Sequence, residues 1–360
     1  MRVFLFFAFF LLITIGCSDD MPLIDPMPEE EEEEEEEEQQ RIYMSETYDL
    51  GDYSVEIYYP SDYDSTKRYP ILYFNDGGLF ADVFGLLQFV ESDPFLMVGI
   101  LGQNPRAERF LAYHDSDLED YTPGAAEYSA FIVEDIIPFV EGKYNVNSTK
   151  RAIFGISFGG IHATWIGIHY PEVFTFVGAL SPSFWVDNEA ILKESVSSLI
   201  QSGVGVPHRF YFDRGTAEWR NFVPFISHLK SAGLEYGTNI FYYEVIGAAH
   251  ETEFWALRLR VPFKLFMEGN PEDQLRGLEL QSYCIPNEQA SSPPYPRLNP
   301  IISYDNGVIM SVMTEATYEI TSGSGTVKSD GTYSVTGGSS MTVKVQYKGF
   351  TKSIVLSACD

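Results

Sequence analysis

A serine at position 157 stands between closely spaced glycines, in the segment Gly155-Ile156-Ser157-Phe158-Gly159. An apolar, strand-like run precedes this segment and a run with helical spacing follows it. With 29 glycines in 360 residues the pattern alone is a weak signal. Between a strand and a helix, however, it predicts a tight turn that presents the hydroxyl beside the N–H groups of a helix N-terminus. Ser157 is therefore a candidate nucleophile, the alternative being a structural turn.

A serine hydroxyl needs a general base to accept its proton, and the chain offers six histidines. His250 follows the last strand-like run, residues 240–245, in a loop of small residues that leads into a helical pattern. His162 and His169 lie on the predicted helix after the serine, where packing or a surface position is expected. Chain order and topology therefore favour His250 as the base.

The acid that orients this histidine is expected in the loop after the preceding strand, "RFYFD". That loop carries Asp213 and Glu218, and a Gly-Thr turn between them lets the chain fold back toward His250. Glu218 is the preferred candidate. Asp213 and Asp187 remain as alternatives.

Stabilisation of a developing oxyanion needs two backbone N–H donors. The residue after the nucleophile, Phe158, supplies one. The loop after the strand-like run 69–74 supplies the other, with Gly78 as first choice and Leu79 next. Candidate substrate contacts around the site are Asp76, Trp185 and Trp219.

The segment "HETEF" begins like a zinc-protease motif, but Phe254 stands where the second histidine ligand would be, so no metal site is expected. No phosphate loop or dinucleotide fingerprint occurs, and no cofactor is predicted. The formal net charge of −29 argues against a nucleic-acid partner, because phosphate binding needs clustered Lys and Arg. Nothing in the sequence indicates an oligomeric state.

Strand and helix signals alternate over residues 41–270, which predicts a doubly wound, mostly parallel α/β sheet. Sites in such sheets lie at the carboxyl ends of the strands, where Ser157, Glu218 and His250 all fall. The polar, proline-rich residues 271–297 are interpreted as a linker. Short strand-like runs over 298–360 predict a small, immunoglobulin-like β-sandwich.

The N-terminus has the pattern of a targeting segment. Arg2 precedes a run of thirteen residues of which twelve are apolar, too few to span a bilayer but typical of a signal-peptide core, and residues 1–16 are interpreted as that peptide. The Gly-Cys pair that follows resembles a bacterial lipoprotein cleavage site, although Thr14 departs from the usual leucine. The Ser-Asp-Asp after Cys17 resembles the surface-export signal of Bacteroidota lipoproteins.

We therefore expect Cys17 to be lipidated and the membrane to be reached only through this anchor, with plain secretion or a periplasmic location as the alternative. Residues 17–40, with ten consecutive glutamates, would form an extended acidic tether. The two remaining cysteines, Cys284 and Cys359, are expected to form a disulfide in an oxidising compartment. Two unpaired buried thiols are the alternative.

The stretches "KRYPILYFNDGG", "EYSAFIVEDIIPFVEGKYNV", "RAIFGISFGG", "HYPEVFTFVGALSPSFW", "FDRGTAEW" and "HETEFWALRL" occur in the order found in the esterase D / enterochelin esterase family of α/β-hydrolases, which includes feruloyl and acetylxylan esterases. The region 41–268 resembles that family. The resemblance implies an open-site hydrolase acting on acyl groups of bulky partners, with Glu218 at the position of the family's acid. No such resemblance covers 271–360.

These features predict a serine esterase that is anchored in the outer membrane and exposed at the cell surface. It would remove acetyl or feruloyl groups from polysaccharide or oligosaccharide, with Ser157, His250 and Glu218 as its catalytic residues. A siderophore esterase is the first alternative. A catalytically inactive surface protein that binds glycans is the second, suggested by the predicted C-terminal sandwich.

Overall fold

The computed structural model describes residues 41–78, 92–118, 120–186, 209–218, 223–270, 275–285 and 294–359. Among the sequence-based candidates, Cys17, Leu79, Asp187 and Trp219 lie outside the described residues. The sequence also has a helical pattern over residues 188–202, and this stretch lies outside the described residues as well. The helices within these ranges are all too short or too polar to cross a bilayer.

Eight strands form one mixed sheet, in the spatial order β1-β2-β4-β3-β5-β6-β7-β8. The first two strands pair antiparallel with each other, β2 pairs antiparallel with β4, and all remaining neighbours are parallel. This arrangement confirms the predicted mostly parallel α/β fold. The strands are β1 (Tyr43–Leu50), β2 (Tyr53–Pro60), β3 (Tyr69–Phe74), β4 (Leu96–Gly102), β5 (Val146–Ile156), β6 (Phe176–Leu180), β7 (Arg209–Gly215) and β8 (Ile240–Val245).

The helices connect these strands. Residues 127–144 carry apolar side chains at helical spacing, and the structure has one helical run over residues 125–143, with a π-helical stretch at Ile132–Ile136 in its middle. The described helices are α1 (Arg106–Phe110), α2 (Ala125–Phe131), α3 (Ile137–Lys143), α4 (Phe158–His169), α5 (Val223–Ser231), α6 (Thr252–Arg258) and α7 (Arg260–Glu268).

Side chains of the central strands alternate between two apolar layers, because successive residues of a strand point to opposite faces of the sheet. Ile71 and Tyr73 of β3 belong to one layer, and Leu72 and Phe74 belong to the other. All four side chains are fully buried, as expected for strands covered on both faces. The carboxyl ends of β5, β7 and β8 are therefore held at one edge of a sheet that is packed on both faces.

The C-terminal residues form three small antiparallel sheets, ordered β11-β10-β9, β12-β15-β16 and β13-β14. The expected linker 271–297 is wrong in its middle, because the eleven-residue strand β9 occupies Leu275–Ile285 and pairs with β10 along its length. The remaining strands are β10 (Tyr295–Tyr304), β11 (Ile309–Ser311), β12 (Thr317–Ser322), β13 (Gly325–Val327), β14 (Tyr333–Val335), β15 (Ser340–Tyr347) and β16 (Phe350–Ser357).

A disulfide joins Cys284 of β9 to Cys359, with sulfur atoms 2.09 Å apart and a sequence separation of 75. The C-terminal strands also share an apolar layer with the main sheet: Phe154 and Tyr211 lie in one continuous buried cluster with Leu298 and Met310. Residues 40–360 accordingly form a single compact unit.

Candidate active site

Ser157 occupies a strained turn between β5 and α4. Its φ of 57° and ψ of −116° fall where residues with side chains rarely lie. The turn requires glycine on both sides: a Cβ on Gly155 would lie 2.0 Å from the carbonyl oxygen of Gly159, and a Cβ on Gly159 would lie 2.0 Å from the Asp76 carboxylate. The glycine spacing in the sequence thus forms a strand–turn–helix that projects the serine from the end of β5.

The structure brings Ser157, His250 and Glu218 together in the predicted order. The Ser157 Oγ lies 3.0 Å from His250 Nε2, and His250 Nδ1 lies 3.3 Å from Glu218 Oε2. The imidazole is about half exposed, with 46% of its side chain accessible, so the serine end of this chain is open to solvent. These contacts let the imidazole accept the hydroxyl proton while its other nitrogen donates to the carboxylate.

The loops that carry the acid and the histidine are bonded to each other. Gly215 is required here, because a Cβ at this position would lie 1.9 Å from the carbonyl oxygen of Ala248. The N–H of Ala217 donates to that same oxygen at 3.1 Å. The Gly247 N–H donates to the Thr216 hydroxyl at 2.9 Å. The "GTAE" segment therefore turns directly beneath the histidine loop.

Glu218 is buried and well supplied with donors. Its Oε1 accepts hydrogen bonds from the Ser181 hydroxyl at 2.7 Å and the Gly215 N–H at 2.9 Å, and Arg258 lies 3.4 Å away. Burial acts to raise the pKa of Glu218, but the bond to His250, the charge of Arg258 and the other donors hold that pKa below its usual value. Glu218 therefore remains a carboxylate able to stabilise an imidazolium.

Ser181 is a positioning residue that sequence reasoning missed. It follows β6 with a φ of 43° and is fully enclosed. Its hydroxyl donates to Glu218 and accepts from Trp255 Nε1 at 3.0 Å and from Arg258 Nη2 at 2.8 Å. The signal that could have located it is the "SPS" segment directly after an apolar strand, at the active edge of the sheet.

Asp213, the alternative acid, faces away from the imidazole into the protein. Its Oδ1 accepts from the Ser181 N–H at 3.0 Å and lies 3.2 Å from Arg258 Nη1, while its Oδ2 accepts from Tyr211. Burial raises the pKa of Asp213 to about 6. Asp213 thus anchors Arg258 and β6, whereas Glu218 is the acid placed against His250.

The predicted oxyanion donors are the backbone N–H groups of Phe158 and Gly78. As the first residue of α4, Phe158 has no intrahelical acceptor for its N–H. Gly78 is exposed, and a Cβ there would meet only Leu101, at 4.0 Å. Gly77 beside it has no such room, because its Cβ would lie 2.8 Å from the backbone of β4. The loop therefore needs Gly77 for its close packing on β4, whereas Gly78 has open space around it.

Asp76, expected as a substrate contact, is instead a buried support of the serine turn, and only 3% of its side chain is exposed. Its Oδ2 accepts from the Ile156 N–H at 2.9 Å, and its Oδ1 binds Arg106 at 2.6 Å. Burial raises the pKa of Asp76 against the opposing charge of Arg106. The carboxylate thus fixes the oxyanion loop to the end of β5 and is not directed at a substrate.

Two further side chains border the serine. Trp185 is half-buried, with its ring centroid 6.1 Å from that of Phe158, so it lies on the rim next to the predicted oxyanion donor. Ser183, which the sequence did not single out, places its Oγ 3.2 Å from the Ser157 Oγ. It is therefore a second hydroxyl within hydrogen-bond distance of the candidate nucleophile.

This arrangement has the parts needed for acyl transfer: a partly exposed hydroxyl, an adjacent base, an acid behind the base, and the N–H groups of the helix N-terminus that directly follows the serine. Within the described ranges no three His, Cys, Asp or Glu side chains converge in a way that could hold a metal ion. The chemistry that these residues supply is nucleophilic attack on a carbonyl carbon.

Comparison with known proteins points to the same chemistry. The profile of a family described as "Putative esterase" matches residues 49–260. "Siderophore enterobactin esterase" of Emericella nidulans is 40% identical over 74 residues, which is 20% of this chain and 24% of that protein. "Uncharacterized protein YbbA" of Bacillus subtilis is 26% identical over 152 residues, 39% of this chain. The chain spans 60% of the length of that relative.

Solved structures share the fold. The siderophore hydrolase EstB from Aspergillus nidulans superposes with a TM-score of 0.51 at 20% identity, covering 63% of this chain and 96% of that one. An IroE-like serine hydrolase from Shewanella oneidensis gives a TM-score of 0.52 at 19% identity, covering 62% and 79%. At these identities the likeness shows the α/β-hydrolase fold, and the site geometry of this chain rests on its own residues.

Proposed function

Because the chain belongs to the enterochelin esterase-like family of α/β-hydrolases, we propose that it is a serine carboxylesterase in which Ser157, His250 and Glu218 perform the reaction. The observation that carries the proposal is the 3.0 Å contact between the Ser157 Oγ and His250 Nε2, continued by the 3.3 Å contact from His250 Nδ1 to Glu218. A serine in a merely structural turn would not require this alignment.

In the proposed reaction, Ser157 Oγ attacks the ester carbonyl as its proton passes to His250 Nε2. The Phe158 and Gly78 N–H groups stabilise the oxyanion. The imidazolium, held by Glu218, then protonates the departing alkoxide and leaves an acyl-enzyme. Water that gives its proton to the same nitrogen hydrolyses the acyl-enzyme, releases the acid and restores the Ser157 hydroxyl.

For the substrate, we favour neutral acyl esters, acetyl or feruloyl, carried by polysaccharide or oligosaccharide. The half-exposed histidine supports a bulky leaving group, and Trp185 on the rim offers an aromatic ring for stacking. Glu251 and Glu253, both exposed, border an open depression of about 460 Å³ directly after His250 in the chain. We infer that this depression adjoins the site, so that the two carboxylates on its rim disfavour an anionic substrate.

A siderophore ester is the second candidate, favoured by the relative whose name describes enterobactin hydrolysis. An iron-loaded catecholate siderophore is an anion, so the acidic rim would oppose it, whereas the iron-free form would not be opposed to the same degree. If the protein hydrolyses siderophores, we therefore expect faster hydrolysis of the iron-free form than of the iron-loaded form. Comparing the two rates tests both this candidate and the effect of the acidic rim.

The test is turnover of p-nitrophenyl acetate by the wild type, by Ser157→Ala and by Ser231→Ala. Ser231 is exposed on α5 and its hydroxyl bonds only its own helix backbone, so it is a matched control. We expect activity in the wild type and in the control and none in Ser157→Ala. Equal rates in all three would leave the inactive glycan-binding protein as the better interpretation.

Acetylated xylo-oligosaccharides, a methyl ferulate and a macrocyclic triserine ester, assayed side by side, would then assign the substrate class. A kcat/KM for the macrocycle well above those for the sugar and ferulate esters would replace the first candidate with the second.

We further propose that Cys17 carries the lipid anchor and places the enzyme on the outer membrane, where it would meet polymers. Cys17→Ser should move the full chain from the detergent phase to the aqueous phase in a Triton X-114 partition. Unchanged partitioning would exclude the anchor.

A further inference from the structure

A buried cluster of charges joins the C-terminal strands to the acid loop of the candidate site. Arg214 of β7, Glu244 of β8 and Arg297 of β10 are each 0% exposed. Glu244 lies at the centre: its Oε1 accepts from Arg297 Nη1 and lies 3.9 Å from Arg214 Nε. Buried ions are costly unless they are paired, so these three side chains constrain one another closely.

The C-terminal strands surround Glu244 with further hydrogen bonds. The Tyr283 hydroxyl of β9 donates to Glu244 Oε2, and the Glu244 N–H donates to the Ser311 hydroxyl of β11 at 2.9 Å. Asn299 Nδ2 of β10 donates to the Glu244 carbonyl at 3.4 Å. Glu244 is thus held mainly by residues beyond 271, which lie outside the family match at residues 49–260.

The other end of the cluster reaches the catalytic acid. Arg214 Nη2 donates to the backbone carbonyl of Glu218 at 2.5 Å, and Arg214 Nε donates to the Gly215 carbonyl at 3.2 Å. The guanidinium therefore holds both ends of the four-residue turn whose last side chain faces His250. Arg297 is thus connected to the Glu218 backbone through two ion pairs, first with Glu244 and then between Glu244 and Arg214.

We propose that the C-terminal strands are part of the catalytic unit: Arg297, acting through Glu244 and Arg214, is a positioning residue that fixes the Glu218 turn and thereby the alignment of Glu218 with His250. This inference rests on the proposed esterase function. Without Arg297, Glu244 keeps only Arg214 as an ionic partner, and their attraction draws the guanidinium away from the Glu218 carbonyl. The main sheet and the C-terminal strands share an apolar layer. This supports the interpretation that they form one structural unit and that the C-terminal strands are not a separate module.

The experiment compares Arg297→Met with Arg276→Met in the full chain. Arg276 lies on β9, in the same C-terminal region, but its side chain is 68% exposed and pairs with Asp305 at the surface. Misalignment of a catalytic group by about 1 Å costs up to about a hundredfold in rate. We therefore expect Arg297→Met to lower kcat about ten- to a hundredfold with KM changed less than about twofold, and Arg276→Met to leave both unchanged.

Two further readouts separate positioning from general destabilisation. The low-field Nδ1 proton resonance of His250, which reports its bond to Glu218, should shift in Arg297→Met and stay in place in Arg276→Met. Arg297→Lys, which keeps a positive charge beside Glu244, should recover part of the lost kcat. A folded Arg297→Met with wild-type kcat and an unshifted resonance would overturn the proposal, as would equal losses in the Met and Lys variants.

If Arg297→Met does not fold, Tyr283→Phe and Tyr333→Phe replace it. Both remove one hydroxyl within the C-terminal strands, but Tyr333 donates to the Ser357 carbonyl and not to Glu244. Only Tyr283→Phe should lower kcat and move the resonance; equal behaviour of the two would refute the inference. Wild-type turnover that survives Ser157→Ala would instead refute the esterase function, and the resonance still tests the role of Arg297.

Discussion

We expect the buried histidine His162 to make the folded protein less stable in acid. It lies on α4, is 0% exposed, and is bonded on both sides: Asn75 Nδ2 lies 3.1 Å from its Nδ1, and the Ser129 hydroxyl lies 2.9 Å from its Nε2. The Asn75 amide cannot turn its oxygen to the ring without losing its bond to the Gly159 carbonyl at 2.9 Å. A proton on Nδ1 would therefore face another donor. Burial, the largest cause, lowers the pKa of His162 from 6.5 to about 3.

The magnitude follows from proton linkage. Since the folded-state pKa is below the unfolded-state value, the unfolded chain binds the proton more readily, and stability falls as the pH drops from 6.5 toward 3. At pH 4.5, two pH units below the unfolded-state pKa, the loss is about 3 kcal/mol, since each unit corresponds to about 1.4 kcal/mol. Above pH 6.5 the imidazole is neutral in both states and this contribution to the pH dependence disappears.

The assay is urea unfolding of the wild type, His162→Gln and His114→Gln between pH 4.5 and 7.5. His162→Gln removes the titrating group, so it should be less stable at pH 7 but should recover about 3 kcal/mol relative to the wild type at pH 4.5. His114, whose side chain is 51% exposed, is the control and should follow the wild type. Parallel curves for the wild type and His162→Gln would refute the reasoning.

Three further outcomes are expected at the site and the disulfide. Glu218→Gln should lower kcat roughly a thousandfold or more, whereas Asp213→Asn, which does not face the imidazole, should lower it less than about tenfold; the reverse order would make Asp213 the acid. Ser183→Ala removes one hydrogen bond to the nucleophile, which contributes about 1 kcal/mol, and should therefore lower kcat about fivefold. An unchanged kcat would show that this contact has no role in catalysis. The Cys284–Cys359 disulfide closes a loop with a sequence separation of 75. Its reduction should lower the free energy of unfolding by about 4 kcal/mol and lower the melting temperature. An unchanged melting temperature after reduction would contradict that expectation.

Much of the fold was predictable because its signals are local. The alternation of apolar strands and helical patterns identified the mostly parallel sheet, and glycines around Ser157 identified the turn that the backbone angles now display. His250 could be singled out because it follows the last strand of the sheet, β8. These features depend on neighbouring residues and chain order alone.

Contacts between distant segments were not predictable. The expected role of Asp76 was wrong because its burial depends on Arg106 and Ile156, 30 and 80 residues away in the chain. Ser181 and Ser183 are ordinary loop residues in the sequence, and only the folded turn places one on Glu218 and the other on Ser157.

The sequence by itself determined the elements of this protein, the order of its chemical groups and the edge of the sheet where they meet, since backbone propensity and side-chain periodicity are carried by short segments. The tertiary structure alone decided which of two nearby acids, Asp213 and Glu218, faces the imidazole. The tertiary structure also decided that the C-terminal strands pack on the main sheet and do not form a separate domain joined by a flexible linker. An apolar pattern says that a face must be covered but not by which part of the chain, and buried charges find their partners only when distant strands meet.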